Sequence, residues 1–286
     1  MKNKYLKMAA IAVAFGTTFS ACKKVDEIKE TTVSAEDNAT MESAFASTYD
    51  VADDVSSSDS RFGKSGNTIL PSGAVFTVTD SIFDTDGDGI AYTLDFGSSA
   101  NGILCNDGIY RAGILRIEQS KKFSEIDCQL TIDIVDADGY YIGDGTHMTH
   151  ITGKSVITRT AENEANFKVT DGKGKNDNGT IEFYTDKTVK RTVDNGVGTI
   201  GDEFEASGNG GGKNRNGDTY TYTTPVPLYK KIQDGCSNTF VKGKIELTNS
   251  SNSTLTIDFD PYNDGACDKI AEVTLPGNIK KIITVN

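Results

Sequence analysis

The sequence has no tryptophan and only two histidines and five prolines in 286 residues. The lack of tryptophan weakens the case for a sugar-stacking site, although eleven tyrosines are available for that role. The two histidines, His147 and His150, are three positions apart, so on a strand their side chains would point to opposite faces. They would then not share a metal ion. On a loop they could share one, but we expect an ordinary surface turn here.

Motifs of the common hydrolases and nucleotide-binding proteins are also absent. There is no G-x-S-x-G and no H-E-x-x-H. The stretch GNGGGKNRNGD at 208–218 lacks the GK[ST] of a phosphate-binding loop, so we interpret it as a flexible hairpin tip. We therefore expect a protein that is not an enzyme. The alternative is a carbohydrate-active or other hydrolytic enzyme whose carboxylates are brought together from distant strands.

The sequence has fewer basic than acidic residues. The chain has 29 lysines and arginines against 41 aspartates and glutamates, which gives a formal charge of −12. An acidic surface repels nucleic acid and anionic membrane faces. We expect no nucleic-acid partner, and membrane contact would need another source.

The N-terminus supplies that source. Residues 1–21 have three lysines within the first seven positions, then an apolar run that is too short to span a bilayer, as in a signal peptide. The run ends in Phe19-Ser20-Ala21-Cys22, which resembles a bacterial lipobox with Phe19 where leucine is usual. The resemblance implies cleavage before Cys22, lipidation of that cysteine and membrane attachment through the acyl chains. The alternative is an ordinary secretory signal with a chance cysteine.

Residues 22–70 form an acidic segment. Positions 23–60 hold ten acidic residues and three lysines among many Ser, Thr and Ala. Met41, Phe45 and Tyr49 recur at helical spacing, which indicates one short amphipathic helix. We interpret the segment as a flexible, lipidated tether that contains this helix. Its start, CKKVDEIKE, resembles the export signals of surface lipoproteins in the Bacteroidota.

From residue 71 to 286 the hydrophobic period changes to two. Thirteen short segments rich in Thr, Ile, Val and Tyr are bounded by Gly, Asn and Asp, including VFTVTD, IAYTLD, TIEFYTD and KGKIELT. Many short strands with regular turns predict an all-β fold, an antiparallel β-sandwich.

Two patterns recur within these strands. YTLDF at 92–96, LTIDI at 130–134 and LTIDF at 255–259 place apolar residues on one face and Thr and Asp on the other. CNDGIYRAGILRI and CSNTFVKGKIEL both run from a cysteine through a polar turn, a basic residue and a glycine into an apolar strand. They indicate two related β modules, with an internal division near 160–220. Chance similarity among amphipathic strands is the alternative.

These segments, with GDTYTYTTPVPLYKKIQDG, TLTIDFD and ACDKIAEV, resemble a group of Bacteroidota cell-envelope lipoproteins over roughly residues 85–286. The chain departs from the group at 258–260, DFD in place of a DFG-type tail, and at 267–269, CDK in place of CDN. The resemblance implies an outer-membrane lipoprotein, on the periplasmic face or at the cell surface. The resemblance implies no enzymatic activity, because the group has no assigned activity. We expect a structural or ligand-binding module whose protein or polysaccharide ligand is unknown.

Four cysteines follow Cys22. Cys236 and Cys267 flank the two strands of a predicted hairpin, so both fall at the same end, and a disulfide between them is expected. Cys105 precedes a strand and Cys128 lies beyond the next turn, near the opposite end. These two would form a second disulfide through a bend or remain free and buried.

The run FDTDGDGIAYTLD at 83–95 has nearly the spacing of an EF-hand loop. Because a strand is predicted from Ile90, Asp95 would lie about 20 Å beyond the glycine and would not close the loop. A turn is therefore the default interpretation. The alternative is a weak calcium site with Asp84, Asp86 and Asp88 as ligands.

Overall fold

The computed structural model describes residues 18–57, 68–80, 89–98, 100–196, 198–237, 239–250 and 253–285, with side chains described from residue 32 onward. Within these ranges the helix α1 spans Thr18–Ser57, and a short 3-10 helix spans Asp136–Asp138. The strands are Val75–Asp80 (β1), Ile90–Asp95 (β2), Ile103–Leu104 (β3), Tyr110–Ala112 (β4), Ile114–Gln119 (β5), Gln129–Ile134 (β6), Tyr141–Gly143 (β7), Met148–Ala161 (β8), Glu164–Asn176 (β9), Gly179–Val193 (β10), Glu203–Lys213 (β11), Thr219–Lys231 (β12), Lys242–Asn249 (β13), Thr254–Asp258 (β14), Ile270–Leu275 (β15) and Ile279–Thr284 (β16).

All described strands belong to one antiparallel sheet. Its order is β1-β2-β5-β6-β8-β9-β10-β11-β12-β13-β14-β15-β16, and β3, β4 and β7 form a side ladder that joins β8. Buried and exposed residues alternate along most strands, as the period of two predicts. The all-β, antiparallel prediction is confirmed. The strands in 160–220 are paired in continuous ladders around one core, so the interval near 160–220 contains no break in the sheet among the described residues.

The helix α1 lies inside the sheet. No side chain from 32 to 57 is exposed. Strands from both halves of the sheet reach it: Tyr92 of β2 hydrogen-bonds Ser56, and Lys281 of β16 donates to Thr32 at 3.3 Å. Contacts from strands so far apart in the order require the sheet to curve around the helix.

The prediction of a solvated tether over 22–70 is therefore wrong for residues 32–57. The helical spacing of Met41, Phe45 and Tyr49 was interpreted correctly, since all three are buried. The acidic residues were interpreted as solvent-exposed. A helix surrounded by a sheet has no solvent-exposed face for them. Four of its buried carboxylates instead pair with basic side chains on or beside strands of the sheet.

Two glycines of β9 make room for this helix. A Cβ atom on Gly172 would lie 3.1 Å from the ring of Phe45, and one on Gly174 would lie 2.3 Å from the sulfur of Met41. Phe45 also stacks on Phe183 of β10 with ring centroids 5.6 Å apart. Glycine at alternate positions of a strand thus lets the bulky residues of α1 contact the backbone of the sheet.

The repeated cysteine-to-strand segments share a local structure. Gly113 and Gly243 both have positive φ, 80° and 112°. The carbonyl of each accepts a hydrogen bond from a phenylalanine N–H, Phe96 at 2.9 Å and Phe259 at 3.1 Å. In the first copy the phenylalanine precedes the glycine in the chain, and in the second it follows. Both segments therefore place a glycine of positive φ beside a phenylalanine of the neighbouring strand, within one sheet.

Candidate functional site

The interior of the molecule holds a series of ion pairs between α1 and the sheet. Four carboxylates on α1 are at most 4% exposed, which would be unfavourable without partners. Each meets a basic residue on or beside β10, β11 or β12. The pairs are Asp37–Arg215, Glu42–Lys187, Asp50–Lys230 and Asp53–Arg191.

Arg191 bridges two carboxylates. It hydrogen-bonds Asp53 of α1, and its Nε lies 3.1 Å from Asp202, which follows β10. Burial raises the pKa of Asp53 to about 6, although the charge and hydrogen bond of Arg191 act in the opposite direction. Burial also raises the pKa of Asp50, against the charge of Lys230. Desolvation therefore outweighs ion pairing at these carboxyls.

This shift predicts an unusual pH dependence of stability. Because the folded state binds the Asp53 proton more tightly than the unfolded chain, the carboxyl contributes stability that is fully present below pH 3.8 and is lost as the pH rises through about 6. We expect the free energy of unfolding of the Asp53→Asn variant to fall less between these two pH values than that of the wild type. Urea denaturation across this window measures it.

Asp144 offers a control of opposite sign. Burial alone would raise the pKa of this carboxyl, but hydrogen bonds from His147 and Thr146 leave it below its usual value. Its contribution is therefore present above pH 3.8 and lost as the pH falls. Asp144→Asn should change the slope in the direction opposite to that of Asp53→Asn. Parallel pH profiles for the wild type and Asp53→Asn would contradict the prediction.

The ion pairs border a small cavity. Glu42, Lys187, Asp50 and Lys230 line a space of about 30 Å³ together with Phe240. That volume accommodates a water molecule or two but not an organic substrate. The perturbed carboxyls of α1 therefore lie where they hold the helix in the sheet, not where a substrate would meet them.

A second buried cluster fixes α1 to the side ladder. Arg111 of β4 has no exposed surface, and its guanidinium donates to both carboxylate oxygens of Asp107, at 2.9 and 2.6 Å. It also donates to the hydroxyl of Ser47 on the helix. The two parallel hydrogen bonds to Asp107 compensate for the desolvation of Arg111.

The four cysteines whose side chains are described form one disulfide and two free thiols. Cys236 and Cys267 form a disulfide with their Cα atoms 5.0 Å apart, as predicted. Closing a loop with a sequence separation of 31 stabilises the fold by about 3–4 kcal/mol in the chain-entropy model.

The second disulfide, between Cys105 and Cys128, is not formed, because both thiols are free and buried. The Cys128 thiol donates to the carbonyl of Lys121, beyond the end of β5, whereas Cys105 lies near Arg111, before β5 begins. A six-residue strand spans about 20 Å, far beyond the reach of a disulfide.

Other predicted site residues fall outside the described part of the chain. Asp84, Asp86 and Asp88 lie there, so the calcium prediction stays a prediction. Asp95 ends the strand β2 and accepts a hydrogen bond from the Gly97 N–H, so it does not fold back towards the aspartates, as expected. Cys22 lies within α1, but the structure describes only its backbone and not its side chain.

The two histidines do not share a site. His147 lies in the turn before β8, 72% exposed, with its Nδ1 3.2 Å from Asp144. His150 lies within β8, and its ring packs on Tyr141 at 4.7 Å. Among the described residues, no group of three or more His, Cys, Asp or Glu side chains is arranged to hold a metal ion.

The tyrosines divide between the core and the surface. Tyr140, Tyr220 and Tyr222 are at most 3% exposed and pack in the core, whereas Tyr141 is 39% exposed. Tyr184 of β10, which sequence reasoning did not single out, is 46% exposed.

Tyr184 lies in a groove on the outer face of β9, β10 and β11. We call it the outer groove, with a volume of about 760 Å³. Its lining includes Asn209, Gly212 and Lys213 of the glycine-rich segment that was expected to be a hairpin tip. That interpretation was wrong for 208–213, which belong to β11, because the turn comes only at Asn214–Asp218. The lining side chains are Lys168, Thr170, Asp171, Lys173, Glu182, Tyr184, Asp186, Asn209, Lys213 and Thr219.

Irregular strand pairing underlies the outer groove. On β9, Thr170 and Asp171 form a bulge opposite Tyr184, and Asp171 has a positive φ of 52°. Register shifts also occur in β8 between 152 and 154, and in β11 between 206 and 209. Bulges on neighbouring strands bend a sheet and redirect side chains. The groove therefore lies where the sheet bends.

Comparisons with known proteins found no matching family model, no matching curated protein and no matching solved structure. In the part of the chain that the structure describes, no helix is sufficiently long and apolar to cross a membrane.

Proposed function

We propose that the protein is a lipoprotein of the cell envelope, attached to the outer membrane through Cys22, and that the outer groove binds a ligand. The observation that supports binding is the groove itself. It has the volume of a ligand site, an exposed aromatic ring and several polar side chains along its walls. By contrast, the charged groups inside the molecule are committed to partners on α1 and the sheet.

The same groove favours binding over hydrolysis. Glu182 and Asp186 are four residues apart on β10, which places their Cα atoms about 13 Å apart along an extended strand. Paired glycosidase carboxylates are separated by about 5–9.5 Å. Lys213 lies 3.9 Å from Glu182, and Lys168 lies 3.7 Å from Asp186, so each carboxylate already has a cationic neighbour. We therefore propose a non-catalytic module.

The position of α1 supports a short, stiff connection to the membrane. The helix is continuous from Thr18 to Ser57, so Cys22 precedes the first described buried residue, Thr32, by ten helical positions. At 1.5 Å per residue this is about 15 Å. Acyl chains on Cys22 would then hold the sheet close to the bilayer surface.

Lipidation is tested by substitution of Cys22. Cys22→Ser should abolish labelling by a fatty-acid analogue and move the protein from the membrane to the soluble fraction, because no acyl acceptor remains. Cys128→Ser is the control, since that thiol is buried and should not affect the label. A Cys22→Ser protein that stays labelled and membrane-bound would show that the attachment is wrongly assigned.

A further inference from the structure

The ring of Tyr184 rests on bare backbone. A Cβ atom added to Gly211 would lie 2.7 Å from the Tyr184 hydroxyl oxygen and 3.0 Å from its Cζ. Any residue other than glycine at 211 would therefore displace the Tyr184 ring. With one side on β11 and 46% of its surface exposed, the ring presents a flat apolar surface inside the outer groove.

Hydrogen-bonding groups lie on both sides of that ring. Along β10, Glu182 and Asp186 are each about 7 Å from Tyr184. Across the sheet, Glu182 pairs with Lys173 on β9 and Lys213 on β11 in the strand register. Three lysines and three acids line the groove, so its formal charge is balanced although the protein is acidic overall.

The binding surface continues beyond the outer groove. A second hollow of about 260 Å³ shares Tyr184 and Asn209 with it and extends over Thr221 and Thr248. Together the two hollows run from β9 to β13, which is four strand spacings or about 19 Å. A surface of this length suits an extended polymer better than a single small molecule.

We propose that the outer groove binds an uncharged polysaccharide of pyranose sugars, with one sugar ring stacked on Tyr184. This inference rests on the proposed binding function. The apolar C–H face of a pyranose packs on an aromatic ring, while its hydroxyls hydrogen-bond to amide, hydroxyl and carboxylate groups at the rim. The balanced charge of the groove gives no net attraction to a polyanion or polycation.

Affinity electrophoresis with dextran, laminarin, xylan and mannan tests the proposal on the full protein. At least one of these polysaccharides should retard the wild type. Tyr184→Ala should weaken the apparent affinity by about tenfold or more, as truncation of a central aromatic anchor does. Tyr262→Ala is the matched control, because Tyr262 is 64% exposed on a loop away from the groove. Circular dichroism of both variants checks that they fold.

Tyr184→Trp gives a direct reporter, because the natural chain has no tryptophan. The variant should still bind, and its emission should shift to shorter wavelength when the polysaccharide covers the indole. In one outcome, no neutral polysaccharide shifts the emission, but alginate or an extract of envelope proteins does. That result would overturn the neutral sugar as the ligand class and keep the groove as a binding site. No shift with any of these would overturn the binding function as well.

Discussion

A chain that begins at residue 58 is expected not to fold. Deletion of 1–57 removes α1, and with it Met41, Phe45 and Tyr49 from the centre of the core. Truncating one such side chain to alanine costs about 2–5 kcal/mol, whereas a whole domain is stable by about 5–15 kcal/mol. Loss of the helix exceeds that margin. The sheet would also keep Lys187 and Lys230 without their carboxylates, and Arg191 would lose one of the two carboxylates that it bridges.

The matched control is a chain that begins at residue 22, which keeps the whole buried part of the helix. Far-ultraviolet circular dichroism and cooperative urea unfolding should show a native state for this control and none for the chain from 58. A cooperative, well-dispersed fold without residues 1–57 would show that the acidic segment is a dispensable tether after all.

Lys187→Met is expected to destabilise the protein by about 3–5 kcal/mol. The substitution leaves Glu42 buried in the interior without its cation, and an uncompensated buried charge is strongly unfavourable. The exposed Lys168–Asp186 pair is the matched control. Lys168→Met should cost less than about 1 kcal/mol, because water screens a surface pair.

A double variant separates charge from shape. Glu42→Gln with Lys187→Met removes both charges and should recover most of the stability lost in the single variant. Urea denaturation midpoints at neutral pH give all three values. Equal destabilisation of the single and double variants would mean that the packing of Lys187, and not its pairing with Glu42, matters.

The strands were predictable because alternation is a local signal. YTLDF, LTIDI and LTIDF each place their apolar residues on the buried face. The Cys236–Cys267 bridge followed from the same logic, since the two ends of one hairpin are neighbours. Features set by distant residues were not predictable. Whether the carboxylate of Asp53 faces water or Arg191 depends on a residue 138 positions away.

The outer groove was missed for a related reason. Tyr184 follows Phe183 in TIEFYTD, and alternation alone places one of the two outward. The glycine run was interpreted as a turn because glycine is typical of turns, although in β11 it makes room for tyrosine rings on both faces. Gly210 contacts Tyr222 inside, and Gly211 contacts Tyr184 outside. The pairing register of β10 with β11, which places Tyr184 opposite Gly211, was needed to connect the exposed tyrosine with the glycine run.

The central position of α1 also determines the order in which the chain can fold. The helix is synthesised first, yet it contacts β15 and β16, the last two strands. Its charged residues find their partners only after the strands around them have formed, so the native contacts are separated by much of the chain. Such long-range topologies fold slowly. Until then the strands expose unpaired edges and apolar faces, which are prone to aggregation. A newly made copy would thus depend on holding factors that keep it soluble until the C-terminal strands are in place.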